Sequence, residues 1–459
     1  MIRQTTQAFG SGVPTTVRAR ATIRAALVAT LAATIVGQAT AQDPATEPTR
    51  AELMEEMREM RERMDTMELQ LRGVDGAEEP ASTDEATPPA EAPAEMPVTA
   101  GYDPTKLNGF FVRSPDDAFR LNVGAYTQIR YGMNWRGSEP GRAGEDFTRN
   151  ASINRTRLFL EGQYTEALNY HFRINIDDTG DADLIVAYGQ WNFAPDWSVR
   201  VGEQFMALSR EDWMFAQDVL GVEFSANDFT FAIGSSIGAQ VHHVDGNHRW
   251  WAGFSNGAFG GKETFGSLDA ADIAFTGRSE WQLEGEDWSV WDDLVGRRGR
   301  ADGWLFGVAG GYQLRLKDSP KPDHGAEVIA DLSVNGDGYQ AMIAGTWAAI
   351  DPDGGDWYNN YGVLLQGGYF VADRTQLYTA FEWIDPGDQP GDLDPFTTVS
   401  VGVNFFPFVR TNRWKFTAEV AYLFGRLDQT IVAPSDSLGW LASDESGQLN
   451  IRLQAQLGF

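Results

Sequence analysis

The sequence predicts an all-β fold, an antiparallel transmembrane β-barrel of about sixteen strands. Three observations predict it: long runs in which apolar and polar residues alternate, a regular succession of short and long turn segments between them, and a final strand that ends on an aromatic residue.

The alternation is clearest from Phe119 to Trp135. Odd positions read Phe119, Leu121, Val123, Ala125, Thr127, Ile129, Tyr131, Met133 and Trp135; even ones read Arg120, Asn122, Gly124, Tyr126, Gln128, Arg130, Gly132 and Asn134. A period of two puts one set on each face of a strand. A run this long exceeds the soluble strand of about 5 or 6 residues, and an apolar face bracketed by aromatics suits a wall that meets lipid. The rhythm returns from Trp304 to Leu316 and from Trp414 to Phe424. It returns last from Leu449 to Phe459, where Leu449, Ile451, Leu453, Ala455, Leu457 and Phe459 share a face.

Turn length is an independent sign, because such barrels have short turns at one end and longer loops at the other. If the first strand rises outward, the connections near residues 165–168, 194–196, 245–247, 335–338, 372–375 and 407–413 fall inside and are short. Segments 136–150, 177–183, 206–234, 257–270, 351–359, 385–396 and 425–447 fall outside and are longer or more acidic. The stretch from Glu284 to Gly303 breaks the pattern, being long on the inner side. A barrel of this size leaves an aqueous lumen.

Composition agrees. Among 459 residues aromatics make up 12% and glycine contributes 49, yet the mean hydropathy is slightly polar. The barrel region holds no stretch of 18 or more apolar residues that would read as a membrane helix. There is no cysteine, which excludes disulfides and thiolate metal sites. The net charge of −29, from 36 basic and 65 acidic residues, argues against a nucleic-acid partner. No cofactor motif is present, and neither the Gly-x-Ser-x-Gly elbow nor the His-Glu-x-x-His pair of common hydrolases occurs, so an enzyme is not expected.

Ahead of the barrel the chain reads as four pieces. Arg18, Arg20 and Arg24 precede the apolar run Ala25 to Gly37 and the small-residue site Ala39-Thr40-Ala41, which predicts an export signal over residues 1–41. A short linker, 42–49, leads to residues 50–72, where Leu53, Met57, Met60, Met64, Met67 and Leu71 form a heptad seam and predict a short coiled-coil helix. Residues 73–105, rich in Pro, Ala, Glu and Thr, predict an extended tether, and 106–459 the barrel.

Parity assigns the pore lining. Arg120, Arg130, Arg155, Arg157, Arg173 and Arg200 point inward, with Glu161 among them, and six guanidiniums on four of five consecutive strands would make an anion-attracting stripe. The alternative is structural: the arginines pair with lumen carboxylates such as Glu161 and Asp177, or with the third external loop. That loop, residues 206–234, carries Glu211, Asp212, Asp218, Glu223 and Asp228. Folded inward, it would form a constriction, with Glu211, Asp212 and Asp218 as a negative lip opposite the stripe. His242, His243 and His248 lie on one hairpin with alternate faces apart, so no metal site is expected.

The blocks FRLNVGAYTQIRY, NRTRLFLEGQY, YHFRINID, WSVRVGEQFMALSRE and IGAQVHHVDGNHRWWAGFSNG, between Gly109 and Gly257, resemble the phosphate-selective porin family, the porin O and P group. The resemblance implies a sixteen-stranded homotrimer in the cell outer membrane of a Gram-negative bacterium. It also implies insertion by the barrel assembly machinery, which would read the C-terminal aromatic strand, and passage of small hydrophilic solutes or anions such as phosphate. One departure matters. Where such porins carry Lys followed by Pro, this chain reads Glu203-Gln204-Phe205-Met206-Ala207-Leu208, and only five Lys occur in all, so a lysine phosphate ladder is not expected. Two other roles fit the same residues: a structural barrel that tethers the outer membrane through its N-terminal coil, and a channel specific for one organic solute.

Overall fold

The computed structural model describes residues 98–459 apart from 104–108, 138–145, 177–179, 233, 258–272, 286, 315–323, 352–356, 388–393, 410, 428–437 and 442–446. The export signal, the coil at 50–72 and most of the tether therefore lie outside the described residues.

Two short strands, β1 (Thr99–Tyr102) and β2 (Phe110–Arg113), precede sixteen long ones. These are β3 (Arg120–Arg136), β4 (Phe147–Thr165), β5 (Leu168–Ile176), β6 (Ala182–Ala194), β7 (Trp197–Phe205), β8 (Ser235–Asp245), β9 (His248–Ser255) and β10 (Ile273–Glu284). The second half comprises β11 (Gly303–Leu314), β12 (His324–Gly336), β13 (Tyr339–Asp351), β14 (Tyr358–Ala372), β15 (Thr375–Asp385), β16 (Phe396–Phe405), β17 (Trp414–Phe424) and β18 (Gln448–Gly458). From β3 onward each strand pairs antiparallel with its successor, and β18 pairs back onto β3, from Gly458 opposite Tyr126 to Gln448 opposite Arg136. Closure matters because an open strand edge inside lipid would leave backbone groups without partners.

The seam is sealed at its foot. The Phe459 amide donates to the Ala125 carbonyl at 3.0 Å, and β2 continues the ladder beneath it, with Phe110 opposite Val123. The Phe110 and Phe459 rings meet at 6.0 Å between centroids.

The predicted parity of β3 is the observed one. Gln128, Arg130 and Asn134 are buried in the bore, whereas Ile129, Tyr131 and Trp135 are exposed on the outer wall. A bulge opposite Gln128 and Ile129 takes up Asn154 of β4, so that Arg155 still faces Gln128. The outer wall carries aromatic clusters at both ends, among them Trp135 stacked on Phe147 and, at the short-turn end, Trp197 against Trp250.

The bore is not empty. The third loop, between β7 and β8, runs inside it. Arg278 donates to the Leu208 carbonyl at 2.9 Å, Lys415 to Val219 at 2.9 Å, Asn404 to Leu220 at 2.9 Å and Gln454 to Val222 at 3.1 Å. These polar wall residues satisfy loop backbone that would otherwise be buried without partners. Apolar side chains add to the attachment, since Met214, Val219 and Leu220 pack with Leu294, Met342, Leu364 and Tyr378. The wall makes room with inward-facing glycines: a Cβ at Gly311 would press on Leu208, one at Gly368 on Leu220, and one at Gly362 on Phe231 and Asn227. The loop includes one short helix, α1 (Ala226–Phe231), capped by Ser225, whose hydroxyl accepts from the Asp228 amide at 2.9 Å.

The irregular stretch between β10 and β11 enters from the opposite, short-turn end. Its 3₁₀ turn, Trp288–Trp291, is capped by Asp287, and Trp291, Leu294 and Val295 are buried. Asn335 donates to the Val290 carbonyl at 2.7 Å, and Arg300 pairs with Asp293. The two intruding segments touch where the Leu294 amide donates to the Asp218 carbonyl at 3.0 Å.

Candidate lumen constriction and solute cavity

The arginines predicted to line the pore fall into two groups. Arg130 and Arg155, on adjacent strands, both grip Glu223 of the third loop at 2.9 Å, and all three side chains are buried. Asn154 adds a donor to the same carboxylate at 3.1 Å. Burial opposes ionisation of Glu223, but the guanidiniums of Arg155 and then Arg130 outweigh it and hold its pKa down at about 2. These two arginines fasten the loop to the wall.

Arg157, Arg173 and Arg200 make no such pair. Arg157 lies in register with Tyr126. Arg173 is covered by the Phe215 ring, 3.1 Å from its centroid, and lies 4.9 Å from that of Phe159. Arg200 lies 4.8 Å over Tyr188 and donates through Nε to Gln190 at 2.7 Å. Arg120 sits near the short-turn end, donating to Asn122 at 3.0 Å.

Along β4 to β9 the intruding segments leave a cavity of about 690 Å³. It reaches the short-turn rim at Pro195 and Asp196. Glu161, His171, Gln190 and Arg200 form its strand wall; Trp213, Phe215 and Asp218 of the third loop and Trp291 and Asp292 of the inner insertion form the facing side. Glu161 contacts His171 Nδ1 at 3.2 Å. Arg200 thus stands on the wall, with Glu161 beside it, and Asp218 and Asp292 face it from the plug.

The three predicted lip residues separate. Asp218 lines the cavity, accepting from Asn412 at 3.0 Å; burial pushes its pKa up to about 6 against the lowering effect of that bond. Glu211 and Asp212 face away from the stripe. Glu211 accepts from the Ser225 hydroxyl at 2.6 Å and Asp212 from the Gly234 amide at 3.1 Å, and burial raises their pKa values to about 8 and about 7. The histidines of the β8–β9 hairpin diverge: His242 points into the cavity, His243 packs on the outer Trp197, and His248 stacks on Trp281.

Parity alone did not single out the aromatic lining. Trp213, Phe215 and Trp291 belong to loops with no strand rhythm, and Arg249, which pairs with Glu280 at 2.6 Å and lies 5.0 Å over Trp251, comes from a short strand. The signal available was the density of tryptophan in inward-folding loops.

Residues 123–287, the segment from β3 to the start of the inner insertion, match the family model described as phosphate-selective porin O and P. No curated protein matches the chain. Among solved structures, the barrel is similar to an anion-selective porin from Comamonas acidovorans, with a TM-score of 0.51 and 12% identity over 74% of this chain and 99% of that one. It is also similar to OmpF of Salmonella typhi, in complex with daunomycin, with a TM-score of 0.50 and 10% identity over 74% and 99%. At such identities the likeness speaks for the fold. The closed sixteen-stranded wall is that of an outer-membrane porin, and within it residues 123–287 are similar to the phosphate-selective porin O and P family.

Proposed function

We propose that the protein is a diffusion channel for small hydrophilic solutes, whose route follows the β4–β9 wall past Arg173 and Arg200 and faces Asp218 and Asp292. The observation that carries this reading is the division of the arginines. Glu223 ties up Arg130 and Arg155, so the filter is left to the cavity, where Arg249 is paired with Glu280 and Arg200 is set against Glu161, Asp196, Asp218 and Asp292. Such a set favours weak, adjustable ion preference over a fixed phosphate filter. The C. acidovorans porin's anion selectivity supports a channel but not its sign here.

A homotrimer accords with the porin type, and the coil predicted at 50–72 would add a small parallel bundle to subunits that the barrels already hold together. Chemical cross-linking in detergent should stop at three subunits; a monomer band alone would contradict it.

The ion preference should depend on pH, because burial raises the carboxyl pKa of Asp218 to about 6. Above about pH 6 Asp218 is negative; below it the group is neutral, and Arg173 and Arg200 act with less opposition. The reversal potential in a KCl gradient should therefore move toward anions as pH falls from 7 to 5, by an amount that Asp218→Asn largely removes. A potential that does not move with pH would take Asp218 out of the solute route.

A further inference from the structure

We propose that the cavity is a binding site for a small saccharide, a neutral hydroxyl-bearing ring held briefly on its way through the bore. The inference rests on the channel reading above and names the solute class for the same route.

Ring surface is the first observation. Trp213 of the third loop and Trp251 of β9 meet edge to face at 4.1 Å, and Tyr188 and Phe215 both stack on His171, at 5.5 and 5.9 Å. Trp291 closes the inner side. A passage that sorts ions by charge alone gains nothing from this much aromatic area. Arginines cover Tyr188, Phe215 and Trp251, so Trp213 is the ring set to meet the polarised C–H groups of a pyranose face.

Hydrogen-bonding capacity is the second. The Arg200 guanidinium spends its Nε on Gln190, while its terminal nitrogens bond no described residue. His242 Nε2 and Trp291 Nε1 are buried and likewise bond no described residue. Buried polar atoms call for partners, and a polyol supplies both donors and acceptors. The Asp292 carboxylate, exposed on the insertion, adds an acceptor.

Charge is the third. Glu161, Asp196, Asp218 and Asp292 outnumber Arg200 around one space, Arg249 being paired with Glu280, so an anionic guest meets an excess of carboxylate that a neutral one does not. The volume of about 690 Å³ falls within the usual range for small-ligand sites.

The test is a planar-bilayer titration of the full-length protein with sucrose and maltose, with glycerol matched for viscosity. Saturable block at millimolar saccharide is expected, beyond the proportional fall that glycerol causes. Trp213→Ala should raise the half-blocking concentration about tenfold. Asp292→Ala, at an exposed position where folding is not at stake, should raise it less, and Trp357→Ala, outside the cavity, should leave it unchanged. Saccharides that act only as glycerol does, or a block unaltered in both cavity variants, overturn the proposal while leaving the channel intact. Absence of conductance steps overturns the channel reading instead. In that event a saturable change in tryptophan fluorescence on adding sucrose to the detergent-solubilised protein still supports the site, and none refutes it.

Discussion

Glu223→Ala should detach the third loop from the wall, raising single-channel conductance and lowering the thermal stability of the folded barrel. The carboxylate is fully buried and bonds two guanidiniums at 2.9 Å, with Asn154 as a further donor. Removing it leaves Arg130 and Arg155 as uncompensated charges in a closed space, a loss of about 3–5 kcal/mol. Glu223→Gln keeps the shape and part of the hydrogen bonding, so it should fall between the two. Arg130 also bonds Gln454 of β18, which holds it in place when the loop leaves. Bilayer conductance together with heat-modifiable migration in gels reads both effects. Unchanged values in Glu223→Ala would mean that this contact does not anchor the loop.

Alkaline pH should loosen the same loop from its other side. There Glu211, Asp212 and Asp228 lie buried, with Glu327 of β12 and Glu382 of β15 facing them. Nearby cations are already engaged: Arg278 pairs with Glu280 and Asp331, and Arg210 lies 3.6 Å from Glu280. Burial holds the Glu211 and Asp212 pKa values up at about 8 and about 7, and burial together with Asp212 and Glu211 raises that of Asp228. The sign follows from linkage. Each folded-state value exceeds the unfolded one, so stability is full below about pH 4 and declines as pH rises through 7 to 8. Each unit of upward shift corresponds to about 1.4 kcal/mol, and three groups acting together amount to several. Protease cleavage within 206–234 and current noise should both increase between pH 7 and 9. The double variant Asp212→Asn with Glu211→Gln should suppress the increase. Insensitivity of the wild type across that range would contradict a proton-dependent seat.

Much of the barrel was legible because a transmembrane wall imposes a rule at every second residue. The face of Ile129, Tyr131 and Trp135 had to meet lipid, and that of Gln128, Arg130 and Asn134 the bore. The short turns at 246–247, 337–338 and 373–374 fixed the strand count for the same reason, since a two-residue hairpin permits only one pairing.

The site was less legible because it is made across the bore. Arg155 and Glu223 are 68 residues apart, and nothing in the periodicity of β4 says that a loop carboxylate arrives opposite it. The inward course of the third loop had a sign in the apolar Met206-Ala207-Leu208 and Val219-Leu220, which an external loop would leave wet, and in the glycines of the opposite wall. The inner insertion had only its length and its Trp291-x-x-Leu294-Val295 to mark it. Reading Glu211 and Asp212 as part of a lip treated the loop's acids as one group, whereas the chain turns between Asp212 and Asp218 and sends them to opposite sides.

The third loop and the inner insertion reduce a wide sixteen-stranded bore to a narrow passage. Single-channel recording of the purified protein, with neutral polymers of graded size in the bath, reads the width of that passage. Small uniform conductance steps and exclusion of all but the smallest polymers are expected. Steps as large as an unobstructed barrel would give, with large polymers entering freely, would mean that neither segment narrows the bore.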